Sequence, residues 1–409
     1  MPPLGKPGVA PKSMLAALTR PEMYGPPRSA FRLERVPVPQ LGERQVLVAV
    51  MAAGINHNNV WSALGKPLDV INARRRKGAL ENFHIGGTDG AGVVWACGSK
   101  VQGIKEGDHV VIGPGRFDPH ASDIIMGRDQ PASVSTTAAG YEDNYGTYAQ
   151  FTVVEQYQIL PKPPHLTWEE AASYLMTGAT AYRQLMGWPP NTVRPGDPVL
   201  IWGGAGGLGS MAIQITAMFG GIPIAVVSSP AKFEHCLRLG AHAVIDRSEF
   251  DHWGPLPDTD DEAAWARWGM GAIAFRDRFS AVLGRKARPA IVFEHVGCDT
   301  LPTSIFMCDN AGMVVLCGAT SGYRASLDLR VLWMRSKRLQ GSHGANVEEQ
   351  HRFNELVMRK VISPCLSHTA RFHEVGVVHQ LMHDNFHPCG NMAMLVNAPT
   401  TGLRTYPSA

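Results

Sequence analysis

The chain reads as a two-domain α/β protein in which a doubly wound parallel sheet is joined to an antiparallel, barrel-like domain. Three observations predict this. Residues 198–209, PVLIWGGAGGLG, run an apolar strand directly into a G-x-G-x-x-G turn. Strand-like and helix-like segments then alternate to about residue 342. Residues 31–160 instead break into short β-like runs separated by Gly and Pro.

In the glycine turn, Gly204 permits the tight bend, Gly206 lets backbone N–H groups approach a pyrophosphate, and Gly209 allows close helix–strand packing. With Gly207 and Leu208 these residues form the mouth of a helix over residues 210–219, where the helix N-terminus favours an anion. The next strand, residues 222–227, ends on Ser228-Ser229-Pro230-Ala231-Lys232. An NAD site places an acid there for the ribose 2′-hydroxyl, whereas Ser228, Ser229 and Lys232 suit a 2′-phosphate. NADPH is therefore the expected cofactor, although the same residue types also make an ordinary solvated turn. A helix over 231–239, Gly240 as its C-cap and strands at 243–245, 290–294 and 312–317 continue the pattern. The acidic, Trp-bearing stretch 251–274 reads as a surface insertion.

In the other domain, strands are expected at 45–51, 92–96, 109–112 and 149–154. Residues 167–186 read as one helix, with Thr167 and Glu170 forming a capping box. Pro189, Pro190 and Pro195 mark the passage into the nucleotide domain. The tail, 348–397, holds a helix and closing strands at 392–396 that fold back onto the first domain. The expected domains are 1–189 with 343–409, and 190–342, with the active site in the cleft between them.

A chain of 409 residues exceeds one typical core. With 44% hydrophobic and 18% charged residues it is an ordinary globular chain, and a net charge of +3 points neither to nucleic acid nor to a membrane. Seven scattered cysteines without C-x-x-C pairs indicate no disulfide framework and no zinc cluster, and fit a reducing cytoplasm. The proline-rich first twenty residues lack an apolar signal core, and no apolar run reaches membrane-spanning length.

Beyond these patterns, specific motifs stand out: INHNNVW (55–61), GYE (140–142), LPKPPHLTWEEAA (160–172), ATAYR (179–183), FEH (293–295), LWM (332–334) and GSH (341–343). On these the chain resembles the crotonyl-CoA carboxylase/reductase family, also called enoyl-CoA carboxylases/reductases, of the medium-chain dehydrogenase/reductases. The resemblance spans about residues 30–400 and implies a GroES-like barrel plus a Rossmann domain. Zinc-dependent relatives in the superfamily need a Cys and a Gly-His-Glu where this chain has Asn56 and HIGGTDGAG (84–92), and a later Cys, so no metal is expected. The reaction implied is NADPH-dependent: hydride adds to C3 of a 2-enoyl-CoA, and the resulting enolate attacks CO2 through C2 to give an alkylmalonyl-CoA. The family's CO2 pocket maps onto Asn58, Tyr141, Glu142 and His343. Asn58 would donate an amide N–H to one CO2 oxygen, His343 and Glu142 would position the other through a water, and Tyr141 would keep solvent from the enolate. Each of these residue types is also a common structural element.

Departures from the family pattern fall on the acyl pocket. Gly344 replaces a bulky aromatic, and Ala138 and Ala139 replace large side chains. Open apolar volume is stabilised by hydrocarbon that fills it, so a medium-chain or branched 2-enoyl-CoA is expected. Arg330 matches an arginine that binds CoA phosphate, with Val331 where a Tyr is common, and residues 74–77 (RRRK) are a further candidate to steer CoA. The resemblance also implies a homo-tetramer or homo-dimer, and the product suits a polyketide extender unit. Two other readings stay open: an NADPH-dependent enoyl-CoA or quinone reductase that ends in proton addition, and an NADPH-binding protein without turnover.

Overall fold

A computed structural model describes residues 7–406. Packing divides the chain into two units, Met1–Ala179 with Ala345–Ala409, and Thr180–Gly344. Residues 180–189 go with the second unit, since Gln184 Nε2 donates to the Val315 carbonyl (3.3 Å) and Trp188 Nε1 to Ser342 Oγ (3.3 Å).

The first unit is built around the strand Gln45–Ile55, which is buried along nearly all its length and so pairs on both edges. The seven-stranded sheet runs Ile159–Pro161, His109–Ile112, Gly90–Cys97, Gln45–Ile55, Asn391–Leu395 and Leu366–Arg371, with Phe151–Glu155 also paired to Gln45–Ile55. All but the last pair are antiparallel, and the pairing of Asn391–Leu395 with Gln45–Ile55 closes the tail onto this unit. Register shifts at Leu47/Val48 and Val50/Ala52 bend the central strand, as bulges do. A three-stranded sheet (Arg32–Pro37, Ser13–Thr19, His84–Ile85) and a short pair (Gly115–Arg116, Thr137–Ala138) complete it.

The expected single helix over 167–186 is two, Trp168–Ala172 and Leu175–Met186. The Thr167/Glu170 capping box is present. The break has a local cause: Ser173 Oγ donates to the Glu170 carbonyl (3.0 Å), competing with the helix ladder, and the Met176 N–H goes to Asp89 Oδ2 (2.9 Å).

The second unit carries a six-stranded parallel sheet in the order Ala243–Asp246, Ile222–Val227, Pro198–Ile201, Ile291–Glu294, Met313–Leu316, Arg338–Gly341. Helices Gly207–Met218, Phe233–Arg238, Glu262–Leu283, Leu301–Met307 and Leu329–Trp333 lie between strands along the chain. The stretch 251–274, expected at the surface, is mostly exposed there, with only His252, Gly254 and Ala272 buried among its residues. It leads into the 22-residue helix Glu262–Leu283, capped by Asp261, which accepts from Ala264 N, and ended by Gly284 at φ +72. Phe275 and Phe279, one turn apart, are fully buried, and Phe275 stacks on Trp202 at 5.5 Å while Trp253 meets Trp202 edge-on at 5.4 Å. Each buried Phe contributes about 1.5–3 kcal/mol, which anchors the second half of this helix to the core while its first half stays at the surface.

Among the described residues no helix is long and apolar enough to cross a membrane, and all seven cysteines are free thiols.

Candidate active site

In the first unit the site grows from two glycine loops that cross. Gly140 adopts φ +67, and a Cβ there would collide with the Gly87 carbonyl oxygen; one on Gly146 would strike the carbonyls of both Gly86 and Gly87. Only glycine lets the 138–146 turn lie this close to the 84–89 loop. That crossing sets Tyr141 and Glu142 against the segment that seats Asn58. Asn58 opens the short helix Asn58–Leu64 and donates through Nδ2 to Thr88 Oγ1 (2.8 Å), while its Oδ1 accepts from Asn59 Nδ2 (2.9 Å). Asn59 Oδ1 in turn accepts from Gly87 N (3.0 Å). The orientation of the Asn58 amide is thereby fixed, leaving its second N–H without a protein partner among the described residues.

The Tyr141 ring stands 6.3 Å from Trp61, which meets His57 edge-on at 5.3 Å. Asn58, Tyr141 and Glu142 are all partly exposed. Glu142 departs from the simplest expectation: its Oε2 turns back to accept from Ala138 N (2.8 Å), closing its own turn, and only the other oxygen remains to face a substrate. Ala138 and Ala139, on the same turn, are also partly exposed.

Two further residues frame this region: Asp89, which sequence reasoning passed over, and Arg74, to which it gave another role. Asp89 is fully buried; it accepts from Asn56 Nδ2 (2.8 Å) at Oδ1 and from Met176 N at Oδ2, and burial pushes its carboxyl up to about 7. Its signal lay inside HIGGTDGAG, but nothing in that spacing tells a core acid from a solvated one. Arg74 had been grouped with 75–77 as a basic run steering CoA. The structure turns it inward, where Nη2 donates to the Phe83 carbonyl (3.0 Å), Nη1 to the Glu142 carbonyl (3.4 Å), and Nη1 meets His84 Nδ1 (3.1 Å). Arg75, Arg76 and Lys77 stay exposed.

The second unit holds the nucleotide residues. The helix Gly207–Met218 starts directly after the strand Pro198–Ile201 and its turn, with Gly206 at the N-cap. A Cβ on Gly209 would strike the Gly203 carbonyl oxygen and one on Gly204 would lie 2.7 Å from Ala225 Cβ, so both glycines serve strand–helix contact. Gly206 differs: its Cβ would meet only the Gly203 oxygen at 3.5 Å, so the fold leaves open the space that a pyrophosphate needs. Lys232 Nζ donates to Ser228 Oγ (3.0 Å), tying together two members of the set read as a 2′-phosphate site, with Ser229 beside them and partly exposed.

His343 follows the strand Arg338–Gly341 and is exposed; Ser342, before it, is buried and donates its N–H to the Leu316 carbonyl (2.8 Å). Gly344 adopts φ +54 with open space around its Cβ position. His343 and Gly344 thus end the second unit, whereas Asn58, Tyr141 and Glu142 belong to the first. Arg330 is not a free cation: its guanidinium forks onto Asp328 (Nε–Oδ1 3.0 Å, Nη2–Oδ2 2.9 Å). Beside it lies a cavity of about 340 Å³ lined by Arg288, Arg335, Lys337, Asp309, Phe306 and Val331. Burial pulls the Lys337 ammonium down to about 8 and lowers Arg288 as well, with the neighbouring cations adding to both.

Two family descriptions match the chain: "Alcohol dehydrogenase GroES-like domain" over residues 42–164 and "Zinc-binding dehydrogenase" over 207–363. The residues present do not fit a zinc ion. Asn56 offers an amide already donated to Asp89, and among the described residues no three His, Cys, Asp or Glu side chains converge. A crotonyl-CoA carboxylase/reductase from Cereibacter sphaeroides is 41% identical over 99% of this chain and 92% of its own length. The structure of the crotonyl-CoA carboxylase/reductase AntE in complex with NADP is 58% identical, with a TM-score of 0.95 over 97% of this chain and 98% of that one. The 2-octenoyl-CoA carboxylase reductase CinF, solved with NADP and 2-octenoyl-CoA, is 38% identical with a TM-score of 0.87 over 98% and 91%. The chain belongs to the crotonyl-CoA carboxylase/reductase family of the medium-chain dehydrogenase/reductases.

Proposed function

We propose that this enzyme reductively carboxylates a 2-enoyl-CoA of medium or branched chain with CO2 and NADPH, giving an alkylmalonyl-CoA. The observation that carries the reading is the Asn58 amide, locked by Thr88 and Asn59 with one N–H to spare, beside the Tyr141/Glu142 turn. The cofactor fits the second unit: Gly206 leaves room for a pyrophosphate at a helix N-terminus, and Ser228, Ser229 and Lys232 offer hydroxyls and an ammonium to a 2′-phosphate. When bound, NADPH supplies the hydride for C3 of the enoyl thioester and leaves an enolate with nucleophilic C2.

The chain's residues then decide what the enolate meets. Asn58 gives its spare N–H to one oxygen of CO2, which needs fixed donors because it is small, apolar and weakly bound. Glu142, through the oxygen not given to Ala138, holds a water toward the same molecule, and His343 takes the family's role at the other CO2 oxygen. Tyr141, backed by Trp61, excludes bulk water from C2. Carbon–carbon bond formation from CO2 consumes no proton, whereas plain reduction takes one from solvent.

Gly344, Ala138 and Ala139 leave space for a longer or branched acyl chain, and CinF shows that the family includes an enzyme named for an eight-carbon substrate. CoA phosphates are assigned to the Arg288/Arg335/Lys337 cavity, with Arg330 contributing after its Asp328 partner is displaced. The reading includes a cytoplasmic homo-oligomer, a dimer or tetramer, making an extender unit for polyketide assembly. Plain enoyl-CoA reduction is the second reading, and the Glu142 oxygen turned back onto Ala138 favours it. The experiment is a panel of enoyl-CoA lengths with NADPH and labelled bicarbonate plus carbonic anhydrase. Label retained in a 2-carboxyacyl-CoA, highest for chains longer than four carbons, supports the proposal; NADPH oxidation with only unlabelled saturated thioester overturns it.

A further inference from the structure

The Phe293-Glu294-His295 motif takes no part in the chemistry above, yet it stands where the parallel sheet reverses its strand order. Pro198–Ile201 and Ile291–Glu294 are neighbours from which the strands proceed outward in opposite directions. Dinucleotides cross such sheets at this crevice, outside the carboxyl ends of the strands. His295 is the first residue past one of these ends, and its Nε2 lies 2.9 Å from the carbonyl oxygen of Trp202, the first residue past the other. A carbonyl oxygen only accepts, so Nε2 carries the proton. A Cβ on Gly203, at φ +56, would sit 2.7 Å from the ring's Cε1 and Nε2, so the imidazole fills the space a side chain there would need.

A buried ring of hydrogen bonds fixes this placement. Trp202 Nε1 donates to Ser304 Oγ (2.8 Å), and Ser304 Oγ donates to Glu294 Oε2 (2.6 Å). Glu294 Oε1 accepts from Val296 N (2.8 Å), Gly297 N (3.2 Å) and the Thr300 hydroxyl (2.9 Å). Glu294, Thr300 and Ser304 are fully buried. His295 Nε2 is held by the carbonyl of Trp202, the residue whose side chain this network anchors. Burial holds the imidazole below its usual titration range, so Nδ1 is a lone-pair acceptor, and it has no protein partner among the described residues.

We propose that His295 is a cofactor-binding residue whose Nδ1 accepts a hydrogen bond from a hydroxyl of the ribose next to the nicotinamide. The inference rests on the NADPH reading. That reading puts the adenosine half toward Ser228–Lys232 and the pyrophosphate over the glycine turn, so the next group to cross the reversal point is this ribose. A lone-pair acceptor suits a hydroxyl donor and would repel a phosphate.

Two substitutions in the full chain separate contact from scaffolding. His295→Gln keeps an N–H near the Nε2 position and removes the acceptor; His295→Asn can place an amide oxygen near the Nδ1 position. Calorimetric titration with NADPH and with 2′,5′-ADP, which lacks the nicotinamide ribose, is expected to show NADPH about tenfold weaker for His295→Gln. Binding of 2′,5′-ADP and the Tm stay at wild-type values, and His295→Asn recovers most of the NADPH affinity. Wild-type NADPH affinity in His295→Gln, equal weakening of both ligands, or failure of His295→Asn to recover affinity each overturns the inference. A wild-type protein that binds neither ligand sinks the cofactor reading and takes this inference with it.

Discussion

In the nucleotide unit, strand, turn and helix N-terminus follow one another within residues 198–218, with Gly204 and Gly209 tightly packed and Gly206 left open. In the barrel unit, Asn58 and the Tyr141/Glu142 turn come from distant parts of the chain and are set against one loop because Gly140 and Gly146 cross Gly86 and Gly87. The first site is local and made of main chain; the second is non-local and made of side chains held by other side chains. A local site tolerates change in its surroundings but not in its glycines. A non-local site depends on every partner that fixes a rotamer, and on buried groups such as Asp89 that carry no chemistry themselves.

The largest expected effect tests that dependence. The Asp89 carboxyl is raised from 3.8 to about 7 in the fold. The folded state then holds a proton that the unfolded chain has released, so stability is greatest below pH 4 for this group and falls as pH rises toward 7. A shift of this size corresponds to about 4 kcal/mol. Asp89→Asn removes the titration, so the difference in Tm between variant and wild type should grow from pH 4 to pH 7; parallel curves would show that Asp89 is not buried as described. Next, Asn58→Ala should cost about 2.7–4 kcal/mol in the carboxylation barrier while leaving hydride transfer largely intact, shifting product from carboxyacyl to saturated thioester by chromatography. An unchanged product ratio would place CO2 elsewhere.

Two glycine changes sharpen the other half of the comparison. Gly209→Ala forces a Cβ into the Gly203 carbonyl and should lower stability by about 1–3 kcal/mol together with NADPH affinity. Gly206→Ala, with open space around it, should leave the Tm in place and weaken NADPH alone. If both variants lose stability equally, Gly206 is a structural glycine. The smallest effect is expected at Lys232→Ala: about a tenfold loss of preference for NADPH over NADH in steady-state kinetics, with NADH turnover unchanged.

Each unit held features that could be read beforehand and features that could not. The strand at 222–227 and the capping box at Thr167 were legible because each depends on neighbours a few residues away. The stretch 251–274 was legible as a surface from its acids, but the burial of Phe275 and Phe279 just past it, with Phe275 stacked on Trp202, was not, because it depends on a distant strand. Arg74 was hidden in a basic run because sequence does not tell which of four cations has carbonyls waiting for it. Arg330 matched a phosphate-binding arginine, but Asp328, two residues before it, already occupied its fork.

By itself the sequence determined the glycine turn and the family, the missing Cys and Gly-His-Glu of a zinc site at Asn56 and 84–92, and the identities of the candidate residues Asn58, Tyr141, Glu142 and His343. Periodicity and glycine spacing act over short range and survive without a structure. Only the tertiary structure decided which Asn58 proton stays free, that one Glu142 oxygen is spent on its own turn, that Asp89 is buried, and that His295 bridges two strand ends. Hydrogen-bond partners and desolvation are properties of a place in space, and distant segments create that place only when they pack together.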